Sequence, residues 1–154
     1  MAQTGFMLSD EGRTITATND SGTTAITAGD LVYCAASDDV MTGTAASTRA
    51  AFDGADILVK SILCSDSGYS TIIGVAVEDI PADGIGSIAM EGVFLNPAAE
   101  NVEAGGVIQG HEGNGTTTVL ANKVQVADEF AHQIGKALTG GSADGKYIVW
   151  KLAL

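Results

Sequence analysis

Residues 70–95 read STIIGVAVEDIPADGIGSIAMEGVFL, and this stretch decides the fold. Residues 70–77 (STIIGVAV) are β-branched and bounded by turn formers. Pro81 and Ala82-Asp83-Gly84 then break the chain, and residues 86–95 (GSIAMEGVFL) resume an extended, apolar alternation. A strand, a tight turn and a second strand account for that pattern, because valine and isoleucine favour the pleated backbone and Asp-Gly favours the turn. The same signature recurs outward in both directions. Residues 13–18 (RTITAT), 31–36 (LVYCAA), 56–64 (DILVKSILC), 107–109, 116–120 and 146–152 (KYIVWKL) are short runs between Gly, Asp, Asn and Ser clusters. Strands of this length and spacing predict an all-β chain folded as a compact β-barrel or β-sandwich. Helical periodicity is confined to residues 43–52 (GTAASTRAAF) and 126–134 (VADEFAHQI), each three turns or fewer.

An internal repeat sits on top of the alternation. Ile73-Gly74-x-Ala76 returns as Ile134-Gly135-x-Ala137, and Ala82-Asp83-Gly84 returns as Ala143-Asp144-Gly145, both 61 residues later. Ile88 and Val149 stand at the same offset. Upstream, Ala28-Gly29-Asp30-Leu31-Val32 is echoed by Ala104-Gly105-Gly106-Val107-Ile108, 76 residues later. The larger offset implies extra chain inside the first copy, and the low-complexity segment at residues 38–53 is the place for it. These landmarks divide the chain into an N-terminal arm, residues 1–24, and a β domain, residues 25–154. That domain is built from two weakly repeated β units at about 25–97 and 101–154.

Composition removes several function classes. Nineteen acids against seven bases give a formal charge of −12, which repels phosphate backbones and anionic membrane surfaces alike. Nucleic acid and membrane are therefore not expected partners. A mean hydropathy of +0.24 with 17% charged residues argues against disorder. The first residues, MAQTGFMLSDEGR, carry no basic segment followed by an apolar one, so no secretory signal is read there, and synthesis in a cytoplasm is expected. Cys34 and Cys64 are too few for a disulfide framework and are read as small hydrophobes, with a single bridge between them left open. Between Lys60 and Lys123 there are eight acids and no base, a solvated acidic face by default.

No motif reaches catalysis. Gly84-Ile85-Gly86-Ser87-Ile88-Ala89 has the letters of a dinucleotide fingerprint, but strand residues follow where a helix must open, so it reads as a turn. Residues 110–117 (GHEGNGTT) have the spacing of a phosphate loop without its lysine. His111 and His132 cannot build a histidine-rich metal centre alone, and the Asp-Gly turns are too sparse in oxygen for calcium. Residues 141–145 (GSADG) do not set Ser142 in a nucleophile elbow. No catalytic residue, metal or cofactor is expected.

The order of the landmarks resembles the small head decoration proteins, or capsid cement proteins, of tailed bacteriophages. The matching pieces are residues 28–32, 73–76, 82–84, 91–94 with Pro97, 104–108, 134–137 and 147–152, with Gly106 in place of the second acid. The resemblance implies a compact, commonly trimeric β domain that binds the outer surface of an icosahedral shell through the major capsid protein, without catalysis. It implies residence in the virion. A β-rich recognition module, of a virion fibre or a carbohydrate binder, is the alternative. Within that frame the arm supplies the expected capsid contacts Phe6, Met7, Leu8, Arg13 and Ile15. One apolar triplet and one half-polar strand offset little ordering entropy, so the arm is expected to be mobile until it adds a strand to a sheet edge. The competing reading makes it a strand of the chain's own barrel, with Ile15 in the core.

Overall fold

The computed structural model describes residues 6–9, 13–35, 57–62, 71–111, 122–142 and 146–153. The expected helix at 43–52, the inserted segment at 38–53, the strand at 116–120, Cys64 and the second Asp-Gly turn at 143–145 lie outside those residues.

Eleven strands are described: β1 Phe6–Ser9, β2 Thr14–Asn19, β3 Leu31–Cys34, β4 Leu58–Ser61, β5 Ile72–Ala76, β6 Ile85–Ala89, β7 Glu91–Pro97, β8 Val107–Gly110, β9 Val124–Val126, β10 Gly135–Ala137 and β11 Tyr147–Ala153. Strands β2-β4-β3-β5-β6 close a barrel, and β1-β7-β11-β10-β8-β9 form a six-stranded sheet. The all-β expectation holds. Two details of it are corrected. Residues 86–95 are not one strand: β6 ends in the barrel, where the Met90 amide donates to the Arg13 carbonyl, and β7 begins opposite Ala153 in the other sheet. Gly92, at φ 143°, takes the backbone through that change of sheet at a value side chains disfavour. In place of the expected helix at residues 126–134, Val126 ends β9 and a 3₁₀ turn follows at Phe130–His132. The Ala127 amide bonds to Val107 and the Ile134 amide to Ile108, so β8 ties down both ends of the segment. Phe130 at 88% exposure shows that it has no apolar face to bury.

Pairings at the sequence landmarks run alike in the two expected units, with one correction: Ile88 corresponds by pairing to Trp150, one residue beyond the expected Val149. Leu31 pairs with Val75 and Val32 with Gly74, and in the second copy Val107 pairs with Lys136 and Ile108 with Gly135. The Ile26–Ile80 bridge is matched by Val102–Gly141, and the hydrogen bond from Gly29 N to Ala76 O by one from Gly105 N to Ala137 O, each 2.8 Å. Gly29 at φ 91° and Gly105 at φ 85° explain why the landmark keeps its glycine. The other strands follow: β4 corresponds to β9, β6 to β11, and β2 to β7, since Ile15 faces Ile88 as Phe94 faces Trp150. Even the parallel contact of Asn19 with Val59 has its partner in the bridge of Ala98 to Val124. In both cases the paired strand, β2 or β7, precedes the glycine landmark in the chain.

Period-two alternation sends one face of every strand inward. The barrel interior holds Ala17, Ile26, Val32, Val59, Ala76, Ile80 and Ile88, with Ile15, Ile57 and Ile73 packed against them. A second cluster joins Phe94, Ile108, Val124, Ile148, Trp150 and Leu152 of the later copy to Leu31, Ile62, Ile72, Val75 and Ala89, which point out of the barrel. The rings of Phe94 and Trp150 lie 5.5 Å apart at 37° within it. One copy therefore buries the outer face of its barrel against the core of the other.

Candidate interaction surface

The junction between the copies is fixed by buried polar groups. Asp30 accepts from the Ser61 hydroxyl and the Thr27 amide, both at 3.0 Å. Asn122 accepts from the Leu31 amide at 2.8 Å and donates to the Gly29 carbonyl and to Asp30, at 2.9 and 3.0 Å. Asn96 donates to the same carbonyl and accepts from the Trp150 indole at 2.9 Å. All of these side chains are buried, and each finds partners as burial requires. The acid of the first Ala-Gly-Asp landmark thus clamps one copy to the other. Gly106, its counterpart, faces no third copy.

Outward positions tell the copies apart. Across the later copy, Val107, Lys136, Lys151 and Val93 stand in one row, each opposite the next on β8, β10, β11 and β7. The corresponding row of the barrel is Leu31, Val75, Ala89 and Thr14. Leu31, Val75 and Ala89 are wholly buried at the junction, while Lys136 and Lys151 are exposed. A shallow depression lined by Val107, Gln133, Gly135, Lys136, Lys151 and Ala153 opens on that face. The exposed Leu138 and Tyr147 stand at the adjoining ends of β10 and β11.

The expected contact residues fall in two places. Phe6 and Met7 stand opposite Leu95 and Phe94, and Leu8 falls at an irregularity between Met7 and Ser9, so among the described residues β1 is an edge strand. Arg13 is exposed beside β2, whereas Ile15 faces Ile88 and packs against the barrel interior. Phe6, Met7 and Leu8 share one sheet edge, and Arg13 and Ile15 belong to the other sheet. Lys136 and Lys151 were not singled out from sequence. The alternation of residues 146–152 carried the signal for Lys151, but the pairing of β10 with β11 was needed to bring Lys136 beside it.

The remaining chemical candidates have ordinary roles. Gly84 lies in a turn and Ile85–Ala89 is strand β6, as the reading of that glycine motif required. The Nδ1 of His111 lies 2.7 Å from the Gln125 side chain. His132 lies 3.4 Å from Asp128 and 3.6 Å from Glu129. Desolvation works to raise the Asp128 carboxyl, and hydrogen bonds with His132 and nearby backbone amides more than offset it, leaving it below its ordinary value. Cys34, expected as a buried small hydrophobe, is instead an exposed free thiol at the end of β3, where residual desolvation raises its pKa away from the reactive thiolate. Among the described residues no three His, Cys, Asp or Glu side chains gather as metal ligands. No described helix is long and apolar enough to cross a membrane.

Comparison with known proteins agrees with the architecture. The model of a family described as phage cement protein matches residues 53–152, a span that includes β4 to β11 and leaves out β1 to β3. No curated protein sequence matches. Among solved structures, the fold is similar to the N base of head fiber gp8.5 of bacteriophage phi29. The TM-score is 0.53 at 14% identity, covering 92% of this chain and 93% of that one.

Proposed function

The chain belongs to the phage cement protein family, and from that premise we propose that it binds the outer surface of an icosahedral phage capsid and stabilises it. The family match over residues 53–152 is the observation that carries this reading. The role is structural and involves no catalysis. The partner is the major capsid protein, and the bound form is a homotrimer made in the host cytoplasm and resident on the virion. A β protein with a buried, hydrogen-bonded cluster of Asp30, Asn96 and Asn122 and a charge of −12 suits a passive part that stays soluble until it docks.

The proposed anchor is the N-terminal arm. Strand β1 is an edge of the six-stranded sheet among the described residues, so a capsid strand can extend that sheet through main-chain hydrogen bonds, with Phe6, Met7 and Leu8 supplying side-chain contacts and Arg13 a charge. Ile15 serves the barrel interior in the free chain, which weakens its case as a contact.

The experiment is decoration of capsids stripped of this protein, scored by co-sedimentation. The full chain is expected to bind at near-stoichiometry with the major capsid protein, and a chain lacking residues 1–12 to stay folded but lose binding. Full-affinity decoration by the truncated chain would remove the arm as anchor. Absence of binding by the full chain would remove the cement role. A fibre-base role has support only in the shared fold with the phi29 head fiber base; it predicts that further virion parts attach to the bound protein.

A further inference from the structure

Lysines facing each other across two strands repel, and a sheet with a free choice of surface residues avoids them. Lys136 and Lys151 are such a pair, in a chain with only seven bases and nineteen acids. Neither has an acidic partner among the described residues. Their counterparts in the barrel, Val75 and Ala89, are wholly buried against the other copy of the unit. This face of the unit is thus already a packing surface once in the molecule. In the later copy it is left open, and its two central positions carry positive charge instead of apolar groups.

We propose that the face centred on Lys136 and Lys151 receives a second copy of this chain, and that the occupant is its acidic turn at residues 78–83. The turn lies in the first unit and offers Glu78, Asp79 and Asp83, all exposed. Glu78 accepts the Ser87 amide and Asp79 the Ala28 amide, each at 2.8 Å, so two of the three carboxylates are held in place before contact. The lysines lie on the second unit and the acids on the first, so the contact joins two different patches, and under the homotrimer reading it repeats head-to-tail and closes as a ring. The inference deepens the homotrimer reading and rests on it, and it is independent of how the ring meets the capsid. Charge complementarity selects this occupant, since two lysines at the centre of the face discourage purely apolar packing and favour carboxylates.

The test is sedimentation equilibrium of the full chain over a range of concentrations, with melting followed in parallel. Lys136→Glu places an opposite charge across from Lys151, so it is expected to maintain or raise the melting temperature of the single chain. The same substitution is expected to weaken self-association by at least about tenfold. Lys146→Glu makes the same change in net charge away from the row and is expected to leave self-association near that of the wild type. Neutralising the turn with Glu78→Gln, Asp79→Asn and Asp83→Asn keeps its oxygen acceptors and is expected to weaken association as well. Equal weakening by Lys136→Glu and Lys146→Glu would assign the effect to net charge and overturn the proposal. Wild-type association in either the Lys136→Glu or the neutralised-turn chain overturns it too, while the homotrimer reading stands. A wild-type chain that is monomeric at every concentration overturns both, and capsid decoration remains separately measurable.

Discussion

Replacing Asn122 with alanine tests the account of how the two units are joined. The substitution removes the acceptor of the Leu31 amide and the donor to Gly29 O and Asp30, all at buried positions. A buried amide left without an acceptor costs about 1–3 kcal/mol, and a hydrogen bond to a charged group contributes about 1.5–3 kcal/mol. The Gly29 carbonyl keeps its bond from Asn96, which limits the loss there. Allowing for water entering the small space left behind, the expected cost is about 3 kcal/mol. At about 2–4 °C per kcal/mol for a chain of this size, the melting temperature should fall by about 6–12 °C. Urea denaturation of the full chain measures it, with an unchanged m-value showing that the same surface is still exposed. Asn122→Asp sharpens the test by setting a second carboxylate against Asp30. Mutual repulsion raises the shared pKa, so that variant should be least stable at neutral pH and recover part of its loss as the pH falls towards the raised value. A loss below about 1 kcal/mol for Asn122→Ala, at constant m, would refute the claim that this cluster holds the units together.

Other predictions follow from single positions. A Cβ at Gly74 would overlap the Ala89 carbonyl, and one at Gly135 the Lys151 carbonyl, so Gly74→Ala and Gly135→Ala should each destabilise by about 1–3 kcal/mol in denaturant titrations. Similar losses at both sites are expected because the two glycines occupy the same place in the repeat. The Asp128 carboxyl lies below its ordinary value, so its contribution is present above the ordinary carboxylate range and lost as pH falls through the lowered one. Melting curves of Asp128→Asn between neutral and strongly acidic pH should lack that loss, and identical acid profiles for variant and wild type would refute it. Added salt should raise the melting temperature of the wild type by screening the excess of acids. A flat response would show those acids to be well separated or compensated.

Much of the fold is written in local chemistry. Runs such as residues 72–76 and 147–153 alternate because a strand has two faces, and Gly29 and Gly105 recur because their positive φ suits a residue without a Cβ. Recurrence of Ile73-Gly74-x-Ala76 and Ala82-Asp83-Gly84 at one spacing of 61 residues is what suggests the repeat before any strand is paired. The absence of the helix expected at residues 126–134 was not legible, because the ends of the segment are tied to β8 by bonds from distant residues. The same holds for the split of residues 86–95 between two sheets, which depends on Arg13 and Ala153 as partners. The junction cluster of Asp30, Asn96 and Asn122 draws on three separate parts of the chain, so nothing local marks it. The row of Val107, Lys136, Lys151 and Val93 has the same origin. Sequence alternation assigns each side chain to one of two faces, and it cannot say which face another part of the chain will cover. Only the docking of one unit on the other buried Val75 and Ala89 and left Lys136 and Lys151 in water, because burial is a property of what packs above a strand and not of the strand itself.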